Sequence, residues 1–437
     1  MIIFAIASLG LILAYAVLQG GAEEPRDWNP CLLAIGLLSL VYWLCSRRRD
    51  LAPPPDRLTR WLLLALLSVI LFEIVPLPLA ILRWLSPARV ELLEAGAPIL
   101  GGFRFATLSI LPATTLQWLL GLAGCVLVFL LLREISWRSE DHPWAPALPF
   151  LVIALLEAAL GIAQYHLQGS QSLAQGTYVN RNHFAGFLEM SLPFPILYAV
   201  AVLRRSRKRF EAPVWPAVIA CALISVAAVI LFAITLSLSR MGLISTLSSL
   251  LVVGSLGLAR GWPAWKRSIA IVLVAALVIL GFLLLPTERL IARYGDLNRE
   301  ELSADIRAQI WRDTLRLIAA YPVFGCGLGG YHSGLLRYKT VTPMLTVDFA
   351  HNDYLQILAE MGALGFLIFL ALAFRILYFS LRAAVGSRGQ GRYLALACAG
   401  SFTAILLHSF VDFNLYIPAN AMLLAWIAGV AAGAGRR

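Results

Sequence analysis

A histidine stands at the entrance of a long hydrophobic run in the C-terminal half of the chain. His351 is followed by Asn352 and Asp353, and residues 358–380 beyond them are mostly apolar. Asp348 is a suitable N-cap, which predicts that a helix begins here with His351 in its first turn. The positive end of a helix disfavours imidazolium, so a neutral His351 could act as a general base near pH 7. The position equally fits a histidine that only hydrogen-bonds a neighbouring loop.

Four arginines lie close to the ends of other apolar or amphipathic segments. Arg181 precedes one apolar run, Arg240 separates two others, and Arg307 and Arg312 lie in an amphipathic stretch before His351. A guanidinium stays charged and offers two parallel hydrogen bonds, which suits phosphate oxygens. Arginines that converge at one membrane face would therefore suit a lipid-linked diphosphate. Alternatively, they reach out to lipid headgroups.

Three further histidines lie near the ends of apolar runs or in the long polar segment. His183 follows Arg181 at the start of its apolar run, and His332 follows the glycine-rich run GCGLGG at 325–330. That run matches the letters of a dinucleotide fingerprint, but no strand precedes it, so we read the glycines as a tight turn that brings backbone close to another segment. His408 and Asp412 are four residues apart, a spacing at which a hydrogen bond could orient the site or join two helices.

The composition identifies the scaffold that must position these groups. Of the 437 residues, 60% are hydrophobic and 14% are charged, with a mean hydropathy of +0.81. Soluble proteins are about 45–50% apolar and about 25% charged. The fold class is therefore an all-α integral membrane protein. The first apolar run begins without a basic segment, so we expect a retained first helix. The cysteine spacing indicates neither a disulfide framework nor a metal site.

Twelve apolar runs approach the roughly 20 residues that cross a bilayer. They lie at 2–19, 30–45, 61–80, 115–132, 146–167, 184–203, 214–236, 241–259, 268–286, 358–380, 393–410 and 418–434.

The net charge of +11 is arranged as a topology signal rather than as a nucleic-acid surface. Lys and Arg concentrate in alternate gaps between the runs, at 46–60, 133–144, 204–210, 260–267, 381–392 and 436–437. Short basic loops stay in the cytoplasm, which predicts that both termini are cytoplasmic. The histidines and arginines named above, His351 among them, then face the opposite side of the membrane.

One outward segment is far longer than the rest. Residues 287–350 connect the ninth and tenth spans, and a connection of this length is usually functional. Within it, residues 303–322 predict an amphipathic helix with Ser303 as its N-cap. We therefore expect a single membrane domain over residues 1–437, with a large periplasmic loop embedded in it.

The motifs resemble those of the O-antigen ligase and O-antigen polymerase superfamily of bacterial membrane glycosyltransferases. The matching stretches are NRNHFAGFL (180–188), LSLSRMGL (236–243), DIRAQIW followed by YPVFGCGLGGY (305–331), HNDYLQILAEMGALG (351–365) and HSFVDFNLYIPA (408–419). They follow the family's order over the C-terminal 60% or so of the chain. The first 150 residues or so contribute only their hydropathy.

The resemblance implies a reaction and a location. Members transfer a glycan from undecaprenyl diphosphate to an acceptor hydroxyl at the periplasmic face of the bacterial inner membrane, without a cofactor or a required metal. By this resemblance, His351 would deprotonate the acceptor. Arg240 and Arg307 would bind the diphosphate, with Arg181 as a third and Arg312 as the alternative to Arg307. Asn352, Asp353, His332 and His183 would support the site.

Several functions remain open within and beyond this family. We expect a ligase acting on lipid A–core, which would invert the anomeric configuration. A polymerase of O-antigen or exopolysaccharide and a protein O-oligosaccharyltransferase are the alternatives. The expected partners are the lipid-linked glycan, a hydroxyl acceptor and membrane lipids, with no nucleic acid. A secondary transporter is the remote alternative, since such proteins show internal repeats and polar mid-membrane helices, which this sequence lacks.

Overall fold

The computed structural model describes residues 1–46, 51–167, 173–209, 214–258, 263, 265–266, 269, 304–341, 346–387 and 389–434. Nearly all regular structure in these ranges is helical. The helices are α1 (Ile2–Leu18), α2 (Pro25–Cys45), α3 (Arg57–Glu73), α4 (Leu79–Leu85), α5 (Pro87–Leu100), α6 (Pro112–Arg138), α7 (Leu148–Leu167), α8 (Arg181–Ser191), α9 (Pro193–Arg209), α10 (Val214–Leu236), α11 (Arg240–Leu258), α12 (Ala304–Ala320), α13 (Tyr331–Leu335), α14 (Asp353–Gly386), α15 (Gln390–His408) and α16 (Pro418–Ala434). Two-residue strands, Leu77–Pro78 and Phe105–Ala106, pair antiparallel.

The expected all-α membrane fold is confirmed. Within the described ranges, seven helical stretches are long and apolar enough to cross a membrane, and they include α2, α6, α10, α11 and α14. Helices cover eleven of the twelve predicted spans, whereas the run at 268–286 lies outside the described residues. The number of twelve spans and their orientation stay predictions.

Two predicted spans differ from the helices that form. The third ends at Glu73, and the chain then makes the short strand pair and α4 and α5 instead of continuing to residue 80. The sixth is divided into α8 and α9 at Leu192, because Pro193 has no N–H to donate to the preceding turn.

The helix predicted in the long loop is α12, which begins at Ala304, so the proposed cap Ser303 lies outside the described residues. The first part of the loop, 287–303, also lies outside them. Ile310 and Leu317 of α12 are buried in a small core of their own with Tyr331 and Ala359. This core joins the loop to the start of α14, and so fixes α12 beside the segment that carries His351.

Candidate active site

The start of α14 is tied to the connection between α15 and α16. Asn352 is the N-cap, and its side chain accepts a hydrogen bond from Leu355 N at 3.1 Å. Asp353 donates its backbone N–H to Ser409 O at 2.9 Å, and its carboxylate accepts from Ser409 Oγ at 2.7 Å. Asn352 therefore caps its own helix, while Asp353 holds the start of α14 against the α15–α16 connection.

The cap predicted from sequence is wrong. Asp348 does not cap α14, because Asn352 does so, and His351 lies just outside the helix rather than in its first turn. Asp348 instead contacts His332 Nδ1 at 3.1 Å. His332 is partly exposed and also lies 3.1 Å from Val347 O. No contact between His332 and His351 is found among the described residues.

His351 adopts a left-handed backbone conformation, with φ of 50°, which is uncommon outside glycine. Its ring packs edge-on to Phe413 at a centroid distance of 5.0 Å. Phe349 stacks on the ring of Phe413, at a centroid distance of 4.2 Å. The imidazole is thus held by aromatic packing at a turn that precedes the membrane helix.

Burial lowers the pKa of His351 to about 4. The carboxylate of Asp412 opposes this shift, whereas Arg307 and His183 add to it. The neutrality expected from sequence therefore has a different cause, which is desolvation and not a helix N-terminus. At pH 7 the imidazole is unprotonated and can accept a proton.

The structure separates the two candidate arginines of α12. Arg307 Nη1 donates to Val411 O at 3.4 Å, and its Nε is buried with no hydrogen-bond partner among the described residues. One turn further along, Trp311 Nε1 donates to Ala350 O at 2.9 Å and so fixes the rotation of the helix. Arg312 is exposed and bonds Gln309 of its own helix at 3.2 Å. Arg307 therefore lies at the His351 segment, and Arg312 does not.

A buried carboxylate lies among the histidines. Asp412 Oδ1 is 3.7 Å from His183 Nε2, and the other ring nitrogen of His183 is 3.2 Å from Glu23. Burial alone would raise the pKa of Asp412, but the approach of His183, together with His408 and His351, lowers it below the ordinary range. His183 also packs edge-on to Phe413 at 4.6 Å, so the two histidines share one aromatic neighbour.

The hydrogen bond predicted between His408 and Asp412 does not form. His408 is the last residue of α15, so the helical spacing ends before Asp412. His408 Nδ1 lies instead 3.1 Å from Glu189 Oε1, and Glu189 accepts a hydrogen bond from Ser245 Oγ at 2.5 Å. This chain joins α8, α11 and α15, which agrees with the alternative that His408 joins two helices.

Arg181 and Arg240 are the first residues of neighbouring helices. Arg181 begins α8 after the cap Asn180, and Arg240 begins α11 after Leu238, a residue with a φ of 53°. The two helices approach so closely that a Cβ on Gly242 would come within 2.6 Å of Ala185 Cβ. Both arginines are partly buried. The fold thus places them at adjacent helix starts, on the same ends of α8 and α11.

The glycine-rich run packs against a break in α14. Gly362 has a φ of 61° inside the helix, and the interrupted turn is bonded from outside by Cys326 N to Ala359 O at 3.0 Å and by Gly327 N to Glu360 O at 2.9 Å. A Cβ on Gly325 would lie 2.2 Å from the Glu360 carbonyl. This close backbone approach confirms the role predicted for the run.

An apolar groove of about 160 Å³ opens between several helices and their connections. Glu23, the neighbour of His183, lies at its lining, and apolar residues of α2, α6 and α14 form most of the rest. Trp28, Trp118 and Met361 are among these, while Leu328 of the glycine-rich run and Tyr416 of the α15–α16 connection also line the groove.

No group of three or more His, Cys, Asp or Glu side chains is arranged to hold a metal ion in the part of the chain that the structure describes. Metal independence of the reaction stays a prediction.

Sequence reasoning missed Asp412 as a neighbour of His183, and it missed Glu23 and Phe413 altogether. The available signal was position: Glu23 and Asp412 both lie in short gaps predicted to face the same side as His351. A carboxylate in such a gap is a candidate for pairing with a histidine at that face.

Comparison with known proteins agrees with the motif analysis. Residues 225–370 match the family model described as O-antigen ligase, a segment that contains Arg240, Arg307 and His351. No curated protein matches the chain. The family match covers about a third of the chain and confirms, over that segment, the predicted resemblance to the O-antigen ligase superfamily.

Proposed function

We propose that this protein transfers a glycan from undecaprenyl diphosphate to an acceptor hydroxyl, in the manner of an O-antigen ligase acting on lipid A–core. The observation that carries the proposal is the placement of Arg307 beside the His351 segment at the start of a membrane helix, within the region that matches the O-antigen ligase family. A base and a phosphate-binding group at one membrane face are the two components that this reaction requires.

His351 is the proposed general base. The acceptor oxygen attacks the anomeric carbon, its proton passes to His351, and the bond between that carbon and the diphosphate oxygen breaks with its electron pair leaving on the oxygen. Displacement from the opposite side inverts the anomeric configuration. Asp412 then stabilises the imidazolium, because its carboxylate favours the protonated ring. In the free protein the pKa of His351 is low, and the negative charge of a bound diphosphate raises it towards neutrality.

Arg307, Arg240 and Arg181 are the proposed diphosphate-binding residues. Their fixed charges offset the negative charge that grows on the leaving oxygen, the role that a metal ion plays in other transferases. The buried Nε of Arg307 has no hydrogen-bond partner among the described residues, and a phosphate oxygen would supply one. We therefore favour Arg307 over Arg312.

The apolar groove is the proposed seat of the first isoprene units of the donor. Its lining of aromatic and aliphatic side chains suits a hydrocarbon chain. Glu23, which lines the groove, also contacts His183. The site would face the periplasm at the inner membrane, with both termini cytoplasmic, as the distribution of basic loops predicts.

The test is a transfer assay with purified protein, lipid-linked oligosaccharide and three separate acceptors: lipid A–core, a second lipid-linked repeat and a serine-containing peptide. Mass spectrometry identifies the acceptor that gains the mass of the glycan. Gain on lipid A–core is the expected result. Gain only on the second repeat or the peptide would reassign the protein to polymerisation or protein glycosylation, and no gain on any acceptor would contradict the proposal.

A further inference from the structure

A second cavity lies at the opposite ends of the helices that carry the site. It has a volume of about 870 Å³ and lies between the end of α6, residues 201, 204 and 205 of α9, residues 386, 387 and 389–394, and the end of α16. His351 precedes the first residue of α14, whereas the cavity is lined by its last residue, Gly386. The part of α14 after its break at Gly362, residues 363–386, alone spans about 36 Å, so this cavity is separate from the proposed active site.

Two guanidinium groups lie against the same aromatic ring in this cavity. Arg204 and Arg392 are both held over Tyr393, at 6.0 and 5.9 Å from its centroid. The two positive charges thus share one aromatic neighbour, and an anion that binds beside the ring would interact favourably with both. Arg205, exposed, lines the same wall.

The buried guanidinium is fixed by the helix ends around it. Arg392 Nε donates to Ala384 O at 3.1 Å, and its Nη2 donates to Gly257 O at 3.4 Å. These carbonyls belong to the last turns of α14 and α11, where a positive charge is favoured. The position of Arg392 in the cavity wall is therefore set before any ligand binds.

The N-terminus of α15 adds its partial positive charge to the positive charge of the cavity wall. Gly389 is its N-cap, with a φ of 65°, and makes no side-chain capping bond to the first turn. Residues 389–394 line the cavity, so the amide groups of this turn adjoin the guanidinium groups. Glu140 and Asp141 also line the cavity, and the three arginines leave its formal charge positive.

We infer that this cavity binds a phosphate group, presented by the headgroup of an anionic phospholipid. Planar guanidinium groups and a helix N-terminus together are the recurring donors for phosphate. The cavity lies where membrane helices end, at the level of the headgroups, and basic pockets between such ends bind anionic lipids. Its volume exceeds that of a phosphate alone and accommodates the glycerol backbone as well.

The test is native mass spectrometry of the detergent-purified full chain titrated with cardiolipin, compared with Arg204→Ala/Arg205→Ala and with Arg382→Ala. Arg382 is an exposed arginine of α14 that does not line the cavity. We expect the double variant to bind cardiolipin at least about tenfold more weakly and the control to bind as the wild type does. Asp141→Asn, which removes a negative charge, should bind more tightly.

A parallel titration with inorganic pyrophosphate, followed by thermal unfolding, distinguishes the two sources of phosphate. Binding of pyrophosphate but not cardiolipin, with the same dependence on Arg204 and Arg205, would retain the phosphate site and replace the lipid by a soluble ligand. Binding of neither, or equal binding by the double variant and the Arg382→Ala control, would overturn the inference. The result does not depend on glycan transfer, so the proposed function can fail while this site stands.

Discussion

At the residue scale, the account depends on the protonation state of one imidazole. Burial lowers the pKa of His351 to about 4, so the ring is neutral at pH 7, while Asp412 supplies the negative charge that favours the ring once it has accepted a proton. The base is therefore available before the reaction and stabilised after it. The neutral ring was expected from sequence, but its cause was not, and neither was the contribution of Asp412, since both depend on segments distant in sequence.

The pH dependence of transfer should follow from this arrangement. Protonation of His351 inactivates it, so kcat/KM should be constant from about pH 8 to about pH 6 and should fall as the pH decreases towards 4. The acidic limb of kcat should lie at higher pH than that of kcat/KM, because bound diphosphate raises the pKa of His351. Initial rates measured from pH 4 to 8 test both expectations.

The variant Asp412→Asn tests whether the Asp412 carboxylate raises the pKa of His351. Loss of the carboxylate removes the influence that raises the pKa of His351, so the acidic limb should move to lower pH while kcat falls by about tenfold or more. A limb that moves to higher pH would contradict the proposed role of Asp412.

The two arginines of α12 give a comparison within one helix. Arg307→Ala should weaken use of the lipid-linked donor by about a hundredfold in kcat/KM, because a charge that offsets the leaving diphosphate is lost. Arg312→Ala should stay within about twofold, since Arg312 is exposed and, among the described residues, bonds Gln309 of its own helix. Donor titrations at saturating acceptor provide the measurement, and equal effects of both substitutions would show that α12 is not oriented as described.

At the element scale, the break in α14 aligns the glycine-rich loop with the helix that follows His351. Gly362 has a left-handed φ, and a Cβ there would lie 2.3 Å from the Val323 carbonyl. Ala363 N and Leu364 N donate to Pro322 O and Val323 O at 2.8 and 3.1 Å, so the loop accepts bonds that an unbroken helix would satisfy itself. Both segments therefore contribute to the break: Gly362 adopts the required backbone conformation, and the loop supplies the hydrogen-bond acceptors.

Gly362→Ala should destabilise this junction. The added methyl group meets backbone on both sides, and an alanine with positive φ costs about 1 kcal/mol before any clash. We expect a lower midpoint of thermal unfolding in detergent and reduced transfer. Gly254→Ala, in α11 with no atom within 4 Å of its built Cβ, is the control and should unfold as the wild type does. An unchanged midpoint for Gly362→Ala would mean that the break tolerates a side chain.

At the scale of the whole molecule, the sequence predicted the membrane fold, because hydropathy is a local property, and motif spacing pointed to the segments of the candidate site. It could not choose between Arg307 and Arg312, which are about 140° apart around a helix. Tertiary contacts such as that of Trp311 with Ala350 set that rotation. It also misassigned Asp412, because the rule for residues four apart holds only while a helix continues, and α15 ends at His408.

The predicted orientation of the protein in the membrane can be tested by labelling introduced cysteines. Single cysteines placed at Glu94 and Asp348, which are exposed, should react with a membrane-impermeant maleimide in spheroplasts. Cysteines at Asp141 and Arg382 should react only after permeabilisation, since both lie at the ends predicted to be cytoplasmic. The wild type, with its six native cysteines, gives the background. The reverse pattern of labelling would place the site on the cytoplasmic side and contradict the use of a periplasmic donor.

The central claim is that His351 deprotonates the acceptor while arginines hold the lipid diphosphate. The most direct measurement is the single-turnover rate of glycan transfer by purified His351→Ala, with donor binding measured in parallel and His332→Ala as the control histidine. The account predicts a rate at least about a hundredfold below the wild type for His351→Ala, donor affinity nearly unchanged, and little effect of His332→Ala. Transfer by His351→Ala at the wild-type rate would contradict it.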